Sequence, residues 1–212
     1  MSLTIAHLSF SSGGGAGTVA RRLAEIQRHQ GHNAQVINSL TGSLRDSPWE
    51  SPQHTLVAAI DDMLIRRRDF SGPISLYRNA LSTRVESALT DADVIHVHWP
   101  YGQVHFSRLA PLAGGRPVVW TLHDMRAFTG ACHYSMGCRG FEKDCQDCPA
   151  VKSPWRKTVS VSLSQQRDAL EAIPALQVVS PSHWLADQAR ASRVMSTQSV
   201  EVIPNPLPLS HS

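Results

Sequence analysis

An α/β fold, a parallel sheet with helices on both faces, follows from three features of the sequence. Six short β-rich runs are separated by segments long enough for helices. The first run breaks into a glycine turn that opens an amphipathic helix. Two later runs end in polar or aromatic residues, as strands do where they reach a ligand edge. Strands spaced by helices form βαβ units, and their crossovers impose a parallel sheet.

The elements follow in order. Thr4–Phe10 is a mostly apolar strand that enters Ser11-Ser12-Gly13-Gly14-Gly15. Val19, Leu23 and Ile26 then recur at spacings of four and three, with Arg21, Arg22, Glu25 and Arg28 on the other face: a helix. Gly31 stops it, and 34–38 is a second strand. Residues 40–53 carry Gly42, Pro48 and Pro52 among serines and read as a loop. Leu56, Ile60, Met63 and Leu64 mark one helix, and Leu81, Val85 and Leu89 the next. Strands are expected at 93–99, 117–122, 176–180 and 200–203, and helices through Val159–Ile173 and at 182–191. The stretch 128–150 has neither period. Asn205 to Ser212 is punctuated by prolines and reads as a linker.

Composition narrows the function classes. With 42% hydrophobic and 17% charged residues the chain can bury a core, so disorder is not expected. The net charge of +3 suits an anionic partner. The one dense basic cluster is Arg66-Arg67-Arg68, which is too small for a nucleic-acid interface. No apolar run reaches the ~20 residues that span a bilayer. Met1-Ser2-Leu3-Thr4 has no basic leader, so a cytoplasmic protein is expected. Ile60–Phe70 could lie on anionic lipid at the inner face of a membrane, or form a helix with its stripe in the core and its arginines in water.

Ligands of an open parallel sheet bind beyond the carboxyl ends of its strands, and three groups fall there. In Gly13-Gly14-Gly15-Ala16-Gly17 the backbone can approach a ligand closely, and the helix start offers N–H groups to an anion. Counting Gly-x-Gly-x-x-Gly from Gly13 ends on Thr18, and the second strand ends in Asn38-Ser39 with no acidic residue. A nicotinamide cofactor is therefore not expected. In His96-Val97-His98-Trp99, alternation puts both histidines on one face. His96 is assigned to structure, and His98 and Trp99 to the site. In Trp120-Thr121-Leu122-His123-Asp124, His123 can donate a hydrogen bond to a sugar hydroxyl or a developing charge, and Asp124 can fix its tautomer.

The four cysteines, Cys132, Cys138, Cys145 and Cys148, are separated by five, six and two residues. Cys-x-x-Cys is half of a tetrahedral zinc site and four thiolates complete one, although the first spacing is wide. Structural zinc leads this reading, with His133 as a substitute ligand. Two disulfides, or reduced packing thiols, are the alternatives.

On these motifs the chain resembles the family-4 retaining glycosyltransferases of the GT-B fold, in the branch of bacterial polysaccharide transferases of colanic-acid type. Ser12–Ala16, Asp93–Trp99, Pro117–Met125, Phe128–Tyr134 with the later cysteines, Ser180–Leu185 and Val202–Asn205 carry the resemblance. It implies two Rossmann-like domains, of which residues 1–204 would be the acceptor-side one, with a cysteine-rich insertion at about 128–150. Residues 205–212 would begin the interdomain linker, and the donor domain would be absent. It also implies a nucleotide-sugar donor, a glycan or lipid-linked sugar as acceptor, contact of Gly13, Gly14, Gly15 and Ala16 with the donor, and contact of His123 with the transferred sugar. Such enzymes carry a Glu-x7-Glu motif in the donor domain, and no two glutamates here are eight apart. Activity of this chain alone is therefore not expected. The competing reading is a stand-alone sugar-binding or regulatory module.

Overall fold

A computed structural model of the protein describes residues 1–10, 13–38, 63, 65–76, 83–100 and 106–207. Six strands form one parallel sheet: β1 (Thr4–Ser9), β2 (Asn33–Ile37), β3 (Val94–Trp99), β4 (Val118–Thr121), β5 (Leu176–Ser180) and β6 (Val200–Val202), in the order β2-β1-β3-β4-β5-β6. The helices are α1 (Gly14–His29), α2 (Thr83–Thr90), α3 (Phe106–Ala113), α4 (Arg156–Glu171) and α5 (His183–Ala191). The chain is thus an α/β protein with a Rossmann-like sheet. Strand order reverses between β1 and β3, the position where such sheets open a crevice for ligands.

Right-handed crossovers place α1 on one face and α2 to α5 on the other. The burial pattern agrees. Ala6 and Leu8 of β1, Ile95 and Val97 of β3, and Val118 and Trp120 of β4 point into the large core beneath α2 to α5. The alternate positions Ile5 and Val94 pack with Ala24 of α1 and Ala34 of β2 in a smaller cluster. The α1 face is consequently the thinner one, and it receives the polar residues of β1 and β3.

Local chemistry explains the boundaries. Gly31 takes φ +88°, and the N–H groups of Gly31 and His32 reach back to the carbonyls of Arg28 and Gln27 to end α1. Ser182 caps α5, its Oγ accepting from the Leu185 N–H at 3.3 Å. Helix α3 is missing from the sequence reading. Pro111 and the glycine pair after it obscure the period, yet Phe106, Leu109 and Ala113 recur on one buried side and carry the helix.

Residues 128–150 have no regular element beyond short 3₁₀ turns, as their lack of period implies. They are held by an antiparallel bridge from Ile74 to Cys132, while Arg66 bridges to Val151. The expected loop at 40–53 and helix at 56–64 lie outside the described residues, apart from Met63, as do Leu81, Ser11 and Ser12. Within Ile60–Phe70, Ile65 and Phe70 are buried, Arg66 donates to the Phe70 carbonyl, and Arg67 pairs with Asp69. Among the described residues no helix is long and apolar enough to cross a membrane.

Candidate functional site

The carboxyl ends of β1, β3 and β4 enclose a crevice of about 410 Å³, lined by Ser9, Phe10, Gly13 to Gly17, Trp99, His123, Asp124 and Tyr134. That volume is within the range of small-ligand sites. The triple-glycine turn and His123 therefore share one crevice. Gly14 has φ +68°, a conformation that strains any side chain. A Cβ at Gly13 or Gly15 would meet no atom within 4 Å among the described residues. The first turn of α1 holds no acidic residue, so the end of the helix that favours anions borders this space without a negative side chain of its own.

Behind His123 lies a file of histidines on the α1 face of the sheet. β1 and β3 pair His7 with His96. The register then slips, so that Ser9 pairs with Trp99 and His98 becomes the extra residue. The His96 and His98 rings stack at 4.2 Å, and the His98 and His123 rings at 5.3 Å. Hydrogen bonds link Gln27 Oε1 to His7 Nε2 at 2.7 Å, His7 Nδ1 to His98 Nε2 at 3.0 Å, and His98 Nδ1 to His123 Nε2 at 3.1 Å. His96 Nε2 bonds Thr121 Oγ1 at 2.8 Å.

Burial keeps these rings neutral, because the charged form loses its hydration. It pushes His7 down to about 4, with the Gln27 bond pulling up against it, and His96 down to about 3. His98 is driven well below its usual range. Burial holds His123 at about 4, opposed by the negative charge of Asp124. The donor atoms of His7, His96 and His98 lie within 4.8 Å of one another, in reach of a common metal ion. Both nitrogens of His7 and both of His98 are already spent on the hydrogen bonds above, and the rings stack instead of converging. The arrangement is that of a hydrogen-bonded stack.

Two expectations need correction. His98 is buried within this file and does not line the crevice, which it reaches through His123. Asp124 does not orient His123. Its Oδ2 accepts from His133 Nδ1 at 2.7 Å and its Oδ1 from the Arg126 N–H at 2.8 Å. His133 Nε2 lies 2.9 Å from Ser75 Oγ, so both of its nitrogens are occupied and it is no substitute metal ligand. His96 bonds within the core, in keeping with a structural part.

Arg126, fully buried, ties this wall together. Its Nε donates to the Ser75 carbonyl at 2.7 Å and its Nη1 to the Thr129 carbonyl and to Gln166 Oε1 of α4, at 2.8 and 3.1 Å. The cysteines gather nearby. Cys132 donates its S–H to Cys148, which is held below the ordinary thiol range by that bond and by the Ala150 and Val151 N–H groups, while Cys132 is pushed up in return. The Gly140 N–H reaches Cys138 Sγ at 3.3 Å, and burial raises Cys145 to about 11. All four are free thiols in a looser set than the histidines.

Sequence reasoning missed His7 and Gln27. The signal for His7 was present, since it occupies an inward position of β1 as His96 does in β3. Gln27 carries none, because only the packing of α1 on β1 brings it there.

A doubly wound sheet with a glycine turn and a histidine at its switch-point crevice has the ligand-site arrangement of open α/β proteins. The family model described as Glycosyltransferase Family 4 matches residues 13–211, and the chain belongs to that family. It is also 26% identical over 147 residues to the putative colanic acid biosynthesis glycosyl transferase WcaC of Escherichia coli (strain K12). That match covers 65% of this chain and 36% of the relative, so the chain spans about a third of the protein it resembles.

Proposed function

We propose that the chain is the acceptor-binding half of a nucleotide-sugar-dependent, retaining glycosyltransferase for polysaccharide or glycolipid synthesis, with a second domain closing the crevice over the donor. One observation carries this reading: His123 and the Gly13–Gly15 turn line a single crevice at the switch point of a family-4 chain. Trp184 at 54% exposure and Ile203 at 51% lie where β5 and β6 leave the sheet, on the same edge, and give a second domain apolar surface to cover.

In the reaction, an acceptor hydroxyl attacks the anomeric carbon as the bond to the donor diphosphate breaks on the same face. The proton passes to a donor phosphate oxygen. The N–H groups at the start of α1 and cations from the second domain would meet the charge that develops on the leaving group. His123, with Trp99 and Tyr134 beside it, would hold the sugar, and Asp124 would act by securing the wall through His133 and Arg126.

The test is a chemical-shift map of the labelled chain titrated with nucleotide sugars and with glycan or lipid-linked acceptors. Shifts at Gly13–Gly15, Trp99, His123 and Tyr134, with transfer appearing only when the second domain is supplied, support the reading. Carbohydrate binding at another surface, or none, refutes it.

For the cysteines we propose a structural zinc ion held by Cys132, Cys138, Cys145 and Cys148. The N–H groups of Gly140 at Cys138, of Gly130 at Cys145, and of Ala150 and Val151 at Cys148 suit thiolates. The pairing of Cys132 with Cys148 favours a disulfide as the second reading under oxidation. Metal analysis of reduced protein decides: one zinc per chain supports the site, and a ratio near zero ends it.

A further inference from the structure

We infer that Gln27, His7 and His98 are positioning residues that fix which ring nitrogen of His123 carries the proton, and so make its crevice-side nitrogen a hydrogen-bond acceptor. The inference rests on the proposed function only for its consequence, that the partner is a sugar hydroxyl. The tautomer itself follows from the geometry.

The file starts at the helix. A glutamine Oε1 can only accept, so at 2.7 Å it requires the proton of His7 to be on Nε2. A neutral imidazole has one N–H, which leaves His7 Nδ1 bare, and the group 3.0 Å away, His98 Nε2, must donate to it. His98 Nδ1 is then bare in turn and accepts from His123 Nε2 at 3.1 Å. The single proton of His123 is thus turned into the protein. Its Nδ1, on the far side of a ring that lines the crevice, takes no hydrogen bond among the described residues. It presents a lone pair, suited to the O–H of a sugar.

Other groups do not compete for this control. Asp124 is committed to His133 and the Arg126 N–H, and Thr121 to His96. Arg28 reaches His7 through charge, and His96 reaches His98 through charge and ring stacking; neither takes a hydrogen bond in the file. The chain is therefore set from α1, across β1 and β3, by a residue that never touches ligand. Expectation from sequence gave His123 the role of donor; the hydrogen-bond file reverses it.

Long-range ¹H–¹⁵N correlation of the labelled imidazoles at neutral pH reads the tautomers directly. The wild-type chain should show the Nε2–H form at His7, His98 and His123. Gln27→Glu, which can also only accept, should leave all three unchanged. Gln27→Lys can only donate; its ammonium should force a bare Nε2 on His7 and reverse the file, giving Nδ1–H forms through to His123. Should that variant not fold, His98→Leu cuts the file behind His123 and should leave a mixture of tautomers there.

An Nδ1–H form of His123 in the wild type, or an unchanged His123 when His7 has reversed, overturns the inference. In the two-domain enzyme Gln27→Lys should lower kcat/KM roughly tenfold to a hundredfold by setting two donors against each other. Tautomers that reverse without any change in transfer uphold the file while removing His123 from the sugar.

Discussion

The glycine turn on one side of the crevice is almost all backbone, whereas the opposite wall, from His123 to Tyr134, is dense with side chains bonded to one another. On the first side a Cβ at Gly13 or Gly15 meets nothing within 4 Å among the described residues. On the second, a Cβ at Gly130 would come within 2.5 Å of both Val159 Cγ1 and the Val159 carbonyl. Glycine leaves open space in one place and allows close approach of chain to helix in the other. The side-chain wall lacks a regular ladder of backbone bonds, so buried polar groups have to supply its order.

The strongest test of that account removes the fastening. Arg126→Leu strips the donor from the Ser75 carbonyl and from Gln166 Oε1, leaving buried acceptors unsatisfied, and removes one of the two donors to the Thr129 carbonyl. A loss of about 3–5 kcal/mol is expected, read as a lower urea midpoint. A stability change below about 1 kcal/mol would mean that the wall is held by its apolar contacts instead.

Acid should act next, through the histidine file. His7, His96 and His123 bind protons more weakly when folded, at about 4, 3 and 4, than the 6.5 of an unfolded histidine. Below pH 6.5 the unfolded chain therefore takes up more protons, and stability falls as pH drops from 6.5 toward 4 and is level with respect to these groups above it. One such ring accounts for about 2–3 kcal/mol across that window. Unfolding at pH 5 with no net proton uptake would contradict burial of neutral histidines.

Much of this contrast was legible before any coordinates. Short β-rich runs and helical spacing located all six strands and most helices, since a strand covered on both faces reads as an apolar run and a helix covered on one face as a stripe. The crevice was legible too, because strand ends and a glycine turn have fixed places in a doubly wound sheet. What stayed hidden was non-local. Asp124 follows His123 in sequence yet serves His133, because the 3₁₀ turn at Arg126–Phe128 carries the chain away and back. Gln27 is twenty residues from His7, and no spacing rule links a helix surface to the inside of a strand. The bulge at His98 likewise depends on register with β1, which pairing decides.

The smallest effect on stability is the sharpest on the comparison. Gly130→Ala must push α4 or the 128–150 segment aside, since one of the two obstructing atoms is a backbone carbonyl, and should cost about 1–3 kcal/mol. Gly15→Ala should change stability by less than about 0.5 kcal/mol, because its new methyl enters empty space and removes some unfolded-state freedom. It should nevertheless weaken binding of a nucleotide sugar in the crevice, since that space is where a diphosphate would approach the start of α1. Thermal melts of the two variants beside a ligand titration separate the cases. If Gly15→Ala destabilises as much as Gly130→Ala, the turn is packed as tightly as the far wall. If it leaves both stability and binding intact, the open space at the turn is not where ligand sits.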